Sequence, residues 1–201
     1  PDEQEILSRY VGWGGIPQAF DEENTQWSEE YRQLKELLTE KEYDAARSST
    51  LNAHYTSPTV IRAMYDAIEK MGFRTGNVLE PSCGVGNFFG MLPDDMSSSR
   101  LYGVELDSIT GRIARQLYPD ARITISGFEK TQRRDFFDLA IGNVPFGGYK
   151  VSDKQFDKYN FLIHDYFFAK TLEQVRPGGV IAYITSKGTM DKASPDVRRY
   201  I

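Results

Sequence analysis

Hydrophobic residues recur along this chain with two spacings, which predict strands and helices in alternation. From residue 77 onward, short apolar runs predict five strands, at 77–80, 101–105, 122–126, 137–142 and 180–185. Apolar residues three or four positions apart predict helices around them. The first of these helices follows a Ser57-Pro58 start signal and ends near Gly72.

A long helix is predicted before the fifth strand, and Gly178-Gly179 is predicted to end it. The apolar face of this helix carries Leu162, Tyr166, Ala169, Leu172 and Val175. His164 lies in the same helix beside Asp165, and it is predicted to be a surface or boundary residue.

Apolar strands that alternate with helices predict an α/β fold, with a mostly parallel, Rossmann-like sheet covered by helices on both faces. In such a sheet, ligands bind at the carboxyl ends of the strands, near the point where the strand order reverses. We therefore expect the residues that carry chemistry to lie directly after strands.

The first quarter of the chain differs from the rest in its composition. Residues 1–51 are rich in Glu, Gln, Lys and Trp, and they are predicted to form a small helical extension in front of a main domain at 52–201. The chain starts at Pro1 without a methionine and stops at Ile201 without a terminating signal. We expect a fragment of a longer polypeptide, with a sheet that is truncated at its C-terminal end.

Composition and charge narrow the setting of the protein. Cys83 is the single cysteine, which fits a reducing compartment. The sequence has neither an export leader nor an apolar run near the roughly 18 residues of a membrane span. These features predict a cytoplasmic, bacterial protein. The formal net charge of −5 argues against a self-sufficient nucleic-acid binder. Two histidines and one cysteine predict no metal site.

A glycine-rich turn at residues 80–88 directly follows the first predicted strand, with the sequence Glu-Pro-Ser-Cys-Gly-Val-Gly-Asn-Phe. Gly84 and Gly86 allow the backbone to pass close to a ligand where a Cβ would collide. Glu105 closes the second strand 21 residues after Gly84, where a carboxylate can accept hydrogen bonds from both hydroxyls of a ribose. This order of elements predicts a nucleoside cofactor.

Charge distinguishes between the nucleoside cofactors. The glycines at 84, 86 and 90 depart from the G-x-G-x-x-G spacing of dinucleotide sites. Glu80, which opens the turn, repels a pyrophosphate but attracts a cation. S-adenosylmethionine carries a sulfonium and an ammonium, so the sequence favours it over NAD.

A second turn, at residues 142–147, follows the fourth predicted strand and reads Gly-Asn-Val-Pro-Phe-Gly. An aromatic amino group is a weak nucleophile because its lone pair is delocalised into the ring. The Asn143 side-chain oxygen and the next backbone carbonyl can accept hydrogen bonds from its two N–H groups. Pro145 stiffens the turn, and Phe146 offers a face for an extruded base. Alone, the turn also fits a capped surface loop, but its place after a strand favours a site.

Three segments together resemble class I S-adenosylmethionine-dependent methyltransferases, in particular the DNA adenine-N6 methyltransferases. Residues 80–88 resemble the cofactor motif, 143–146 the Asn-Pro-Pro-aromatic motif, and 54–58 (His-Tyr-Thr-Ser-Pro) the segment before the first strand. Their order is similar to that of the subgroup with a C-terminal DNA-recognition domain. The resemblance covers residues 52–190. The Trp/Gly segment near residue 13 is similar to that of large mobile-element proteins that join a methylase to a helicase-like ATPase.

The resemblance implies a role for each matching residue. Tyr55 and Thr56 would hold the methionine end of S-adenosylmethionine, and Glu105 its ribose. The other cofactor-binding residues would be Glu80, Pro81, Gly84, Gly86, Asn87, Phe88 and Phe128. The residues that present a flipped adenine of DNA would be Asn143, Val144, Pro145 and Phe146. A region beyond Ile201 would supply most of the grip on DNA.

Two positions depart from the family pattern. Val144 replaces the first proline of the second motif, which keeps the carbonyl but loosens the turn. Gly127 stands where the family has an Asp for the adenine of the cofactor, which leaves Glu129 or a backbone carbonyl for that role. These departures keep open a non-catalytic scaffold module in a larger DNA-processing protein. Because the second motif is also similar to that of enzymes acting on protein glutamine or RNA bases, such substrates are a further alternative.

Overall fold

The computed structural model describes residues 2–50 and 55–201. Its strands are β1 (Asn77–Glu80), β2 (Arg100–Glu105), β3 (Arg122–Ile125), β4 (Phe137–Asn143) and β5 (Val175–Ile184). They form one parallel sheet in the order β3-β2-β1-β4-β5. The order reverses between β1 and β4, so the ligand-binding crevice of an α/β sheet is expected at their carboxyl ends. The predicted α/β fold with a parallel sheet is confirmed.

The helices follow the predicted alternation. The α-helices of the described residues are α1 (Asp2–Ser8), α2 (Ser28–Leu37), α3 (Glu40–Ser49), α4 (Pro58–Lys70), α5 (Asn87–Gly90), α6 (Ser108–Leu117), α7 (Ile163–Gln174), α8 (Gly188–Asp191) and α9 (Asp196–Tyr200). Short 3-10 helices lie at Pro17–Phe20, Thr25–Trp27, Asp94–Met96, Phe128–Lys130 and Asp157–Tyr159. As predicted, Ser57 caps α4, and its side chain accepts a hydrogen bond from the Val60 N–H.

Helices cover both faces of the sheet because successive side chains of a strand point to opposite faces. On one face, Val78 of β1 belongs to a buried cluster with Ile61 and Tyr65 of α4. On the other face, Leu79 belongs to a cluster with Tyr166 of α7. Burial of each large apolar side chain contributes about 1.5–3 kcal/mol, so both layers hold the strand ends in fixed positions.

Residues 2–50, called the N-terminal segment from here on, have an apolar cluster of their own. Its buried members are Ala19, Phe20, Leu34, Tyr43 and Ala46, with Trp13, Trp27, Tyr31 and Leu38 partly buried around them. A capping box begins α3: the Thr39 hydroxyl accepts from the Glu42 N–H, and the Glu42 carboxylate accepts from the Thr39 N–H. The segment therefore has both a local core and locally specified helices.

The junction of α7 and β5 differs from the prediction. The helix ends at Gln174, and Val175 already pairs with Phe137 of β4 before a register shift carries the ladder on to Val180. Gly178-Gly179 thus belong to the strand and do not end the helix. Leu172 is 38% exposed, so its assignment to the buried face of α7 is also wrong. Pairing with β4, a contact remote in sequence, decides this boundary.

His164 is buried, with 4% of its surface exposed, so its predicted surface or boundary position is wrong. The segment that follows β5 covers it: a Cβ added to Gly188 would lie 3.4 Å from its Nε2. Its neighbour Asp165 is buried too, and it pairs with Lys192. Within the described residues, no helix is long and apolar enough to pass through a membrane.

Candidate active site

A cavity of about 530 Å³ opens at the carboxyl edge of the sheet. This size lies within the roughly 300–1,000 Å³ range of small-molecule sites. The residues predicted from the sequence that line it are Tyr55, Thr56, Glu80, Pro81, Gly84, Asn87, Phe88, Glu105, Phe128, Asn143, Val144, Pro145 and Phe146. Gly86 lies behind this lining, and His54 of the 54–58 segment lies outside the described residues.

The glycine turn after β1 has a backbone that favours glycine. Gly84 and Gly86 have φ angles of +55° and +87°, in the left-handed region. A Cβ on Gly86 would lie 2.6 Å from the Tyr118 ring, so this glycine also permits close packing behind the cavity. The Tyr65 hydroxyl donates to the Phe88 carbonyl at 2.8 Å, which ties the turn to α4. The turn is therefore held rigidly at the end of β1.

Glu105 joins the ends of β1 and β2. Its carboxylate accepts hydrogen bonds from the Gly84 N–H and the Asp107 N–H, both at 2.8 Å. Burial raises the pKa of Glu105, and the hydrogen bonds from Asp107 and Gly84 oppose that rise. Beside it, Leu106 lines the cavity and is 76% exposed, which leaves an apolar side chain at the rim for a flat ring to cover.

Glu80 provides a buried carboxylate at the base of the cavity. It is 2% exposed, and its Oε2 has no hydrogen-bond partner among the described residues. Burial raises the pKa of Glu80 well above its usual range, and the nearby charge of Glu105 raises it further. Because buried polar atoms normally have partners, this oxygen fits a hydrogen-bonding cationic ligand. The hydroxyl of Thr56, another lining residue, is likewise buried without a partner in the described part of the chain.

The carboxyl and amine side chains around the cavity are all of one kind, acidic. Five acidic residues line it, namely Asp44, Glu80, Glu105, Asp107 and Glu129. Among its described lining residues there is no Lys, Arg or His. Such a lining attracts a cation and repels a phosphate. The electrostatics thus fit the sulfonium and ammonium of S-adenosylmethionine and do not fit a dinucleotide.

The turn after β3 holds a carboxylate beside Gly127. A Cβ on Gly127 would overlap the carboxylate of Glu129, which folds back over the glycine at the cavity wall. Buried Lys170 of α7 donates to the Glu129 carbonyl at 3.1 Å and helps to fix this turn. An acidic group therefore lies at the end of β3 in spite of the glycine.

The turn after β4 is fastened on both sides. The Val144 N–H donates to the Ile184 carbonyl of β5 at 3.1 Å, and the Ser82 hydroxyl donates to the Asn143 carbonyl at 2.9 Å. Val144 is 1% exposed and belongs to the buried cluster under α7, so packing takes over the stiffening role of a proline there. Pro145 and Phe146 are half-buried at the cavity wall.

The sequence motifs missed part of the lining. The N-terminal segment contributes Gly12, Asp44, Ala45, Ser48 and Ser49. An apolar wall beside the Asn143 turn comes from Tyr149, Val151, Ile163, Tyr166 and Phe167. The one sequence signal for the first group is the four-residue spacing of Asp44 and Ser48, which puts both on one face of α3. Among the described residues, no group of three or more His, Cys, Asp or Glu is arranged to hold a metal ion.

Comparison with known proteins finds relatives that match only parts of their length. The chain is 31% identical over 141 residues to the defense against restriction protein B of Escherichia phage P1. The matched region covers 67% of this chain and 6% of that protein. It is 35% identical over 79 residues to the type II methyltransferase M.CvrRI of Paramecium bursaria Chlorella virus XZ-6E, covering 39% and 21%. The modification methylase CviBIII of Paramecium bursaria Chlorella virus NC1A is 24% identical over 151 residues, covering 72% and 40%. The matched part of this chain thus spans 40% or less of the length of each of these three relatives. No family model matches it.

Solved structures share its architecture. A modification subunit of a type I restriction enzyme from Vibrio vulnificus YJ016 superimposes with a TM-score of 0.59 at 19% identity, covering 87% of this chain and 41% of that one. A Listeria monocytogenes protein described as a class I S-adenosylmethionine-dependent methyltransferase gives a TM-score of 0.58 at 16% identity, covering 89% and 64%. With the parallel sheet and its glycine turn, the chain has the Rossmann-like fold of the class I S-adenosylmethionine-dependent methyltransferases, and its sequence relatives include viral modification methylases.

Proposed function

We propose that this chain binds S-adenosylmethionine and methylates the exocyclic N6 amino group of adenine in DNA. The observation that carries the proposal is the cavity itself, which unites the glycine turn, Glu105 and the Asn143 turn at the reversal point of the sheet. The kinship with viral modification methylases supports DNA as the substrate.

The cofactor-binding half of the cavity would hold S-adenosylmethionine, which supplies an electrophilic methyl group. Glu80 would pair with a positive charge of the ligand, and Glu105 would accept hydrogen bonds from its ribose hydroxyls. Tyr55, Thr56, Asn87 and Phe88 would contact its methionine end. Glu129 would accept a hydrogen bond from its adenine amino group in place of the missing Asp.

The substrate half would orient the acceptor amine. The Asn143 side-chain oxygen and the Val144 carbonyl would accept hydrogen bonds from the two N–H groups of an extruded adenine, which directs its lone pair toward the methyl donor. Pro145 would keep the turn stiff, and the Phe146 ring would stack on the base. Positioning of the two reactants would supply most of the rate.

The test is a transfer assay with methyl-labelled S-adenosylmethionine and unmethylated DNA, followed by mass spectrometry of the released nucleosides. We expect N6-methyladenine as the labelled product. A labelled cytosine would contradict the N6 assignment, and labelling of protein glutamine or RNA in parallel reactions would indicate the alternative substrates.

Absence of transfer to every substrate, by a folded chain that still binds S-adenosylmethionine, would favour a non-catalytic scaffold. To keep that result interpretable, the assay is run on this chain and on a longer polypeptide that continues past Ile201. Transfer by the longer polypeptide alone would agree with a DNA grip supplied from outside the chain.

A further inference from the structure

The N-terminal segment contributes to the cavity wall although it precedes every methyltransferase motif in the chain. Gly12, Asp44, Ala45, Ser48 and Ser49 all line the cavity. Asp44 and Ser48 lie one turn apart on α3, so they present a carboxylate and a hydroxyl on the same helix face. Both are exposed at the rim, where a bound molecule can reach them.

The contacts of the segment place it at the ribose end of the cavity. The segment packs on α6, the helix that begins directly after Glu105. Glu42 of α3 forms an ion pair with Arg112 of α6, and the Gln4 side chain donates to the Gln116 carbonyl at 3.2 Å.

Tyr10 adds a third link between the segment and this end of the cavity. Burial raises the pKa of its hydroxyl, and the charges of Asp107 and Glu105, which both line the cavity, raise it further.

We infer that the N-terminal segment is a cofactor-binding wall, in which Asp44 and Ser48 contact the nucleoside end of the bound S-adenosylmethionine. This inference rests on the proposed function. A nucleoside held by Glu105 and covering the exposed Leu106 would share the cavity with the lining residues of α3. Asp44 can accept hydrogen bonds from ribose hydroxyls or an amino group, and Ser48 can donate or accept them.

Tryptophan substitution on α3 tests the contact directly. Ser48→Trp places a bulky ring in the space that the nucleoside would occupy and should weaken S-adenosylmethionine binding by about tenfold, which corresponds to about 1.4 kcal/mol. The matched control is Arg47→Trp, because Arg47 is exposed on the same helix and does not line the cavity. It should leave affinity within about twofold of the original. Calorimetric titration gives both values, and circular dichroism checks that both variants keep their fold.

Hydrogen exchange on the unmodified chain provides a second, independent measurement. Saturating S-adenosylmethionine should slow exchange of the α3 amides, while the amides of α2, which contributes no lining residue, stay unchanged. If Ser48→Trp binds as tightly as Arg47→Trp, or if α3 shows no protection, the wall assignment is overturned and the proposed function stands. If the unmodified chain binds no S-adenosylmethionine at all, the proposed function fails and this inference falls with it.

Discussion

The carboxylate of Glu129 occupies the space in which a side chain at Gly127 would begin. The backbone at Gly127 is extended, with φ −65° and ψ 147°, so glycine serves here to make room and not to permit an unusual backbone. A residue two positions along the chain thus brings an acidic group to the place where the resemblance implies an Asp.

This relationship predicts a rescue. Glu129→Ala should weaken S-adenosylmethionine binding by about tenfold, because a hydrogen bond to a charged acceptor is lost. Adding Gly127→Asp to that variant should recover most of the affinity, since the new carboxylate begins in the vacated space. Gly127→Asp alone should displace only the flexible end of the Glu129 side chain and should keep affinity within a few-fold of the original, because one carboxylate still lies at this place. Calorimetry measures the affinity of the three variants for S-adenosylmethionine. If the double variant binds no more tightly than Glu129→Ala, the role assigned to the Glu129 carboxylate is refuted.

Asn143 should separate binding from transfer. Asn143→Ala removes one acceptor for the amine and is expected to lower kcat by a factor of about 100 or more, by analogy with the loss of one oriented hydrogen-bonding group in other active sites. Its affinity for S-adenosylmethionine should stay unchanged within about twofold, because the cofactor contacts lie elsewhere in the cavity. Single-turnover transfer and calorimetric titration measure the two quantities. Full transfer by the variant would remove Asn143 from the proposed mechanism.

The affinity for S-adenosylmethionine should depend on pH through Glu80. Burial holds the pKa of this carboxyl well above its usual range, and a cationic ligand favours its ionised form. Affinity should therefore rise with pH until it passes the raised pKa, and then level off. In Glu80→Gln this dependence should disappear and binding should be weaker. Titrations at several pH values check both expectations; an unchanged pH profile in the variant would show that another group is responsible.

The same substitution should have the opposite effect on stability. A carboxyl whose pKa is raised in the folded state contributes stability below its unfolded pKa, and this contribution is lost as pH rises through the folded value. At neutral pH, ionising the buried Glu80 carboxyl costs stability, and Glu80→Gln removes that cost. The variant should therefore raise Tm by about 2–4 °C per kcal/mol recovered. Thermal melts of both proteins at neutral and acidic pH measure the difference, which should shrink in acid.

The pair between Lys170 and Asp153 should be important for folding. Their side chains are 7% and 11% exposed and 2.7 Å apart. Burial raises the pKa of Asp153, but hydrogen bonds from Lys170 and Tyr166 outweigh it, so the net direction is downward. Lys170→Met leaves the carboxylate buried without its cation and should cost about 3 kcal/mol in unfolding free energy.

Urea denaturation measures that loss. The control is Lys154→Met, because Lys154 is an exposed lysine next to Asp153 in the sequence. Because a lowered pKa gives stability that is present above the unfolded value and lost as pH falls through the folded one, the difference between Lys170→Met and the original protein should narrow in acid. An equal loss in the control would show that the effect does not come from the buried pair.

Strands and motifs were predictable where the information is local. The five apolar runs lie between turn residues, and the first four strands appear within one residue of their predicted bounds, whereas β5 begins five residues earlier than predicted. There the stretch from Val175 to Gly179 has no strand pattern of its own and is drawn into the sheet by Phe137 of β4. The burial of His164 also depends on a contact that is distant in sequence, because the segment after β5 covers it.

In the cavity too, some residues were predictable from local sequence and others depend on contacts distant in sequence. Glu80, Glu105 and Asn143 end strands, so the parallel topology brings them together once the alternation of elements is recognised. Asp44 and Ser48 reach the cavity only because α3 packs on α6, and no local pattern specifies that packing. The Glu129 carboxylate lies over Gly127 because of its side-chain conformation, which the sequence does not predict.

The separate apolar cluster of the N-terminal segment has a consequence for behaviour at elevated temperature. None of its buried residues belongs to the clusters on the sheet. The ion pair between Glu42 of α3 and Arg112 of α6 lies near the surface, because the Arg112 side chain is 58% exposed. Ion pairs at such positions stabilise by about 1 kcal/mol or less. On heating, the segment is expected to detach before the sheet melts, so the upper temperature for ligand retention is set by the attachment of α3 and lies below the temperature at which the central sheet unfolds.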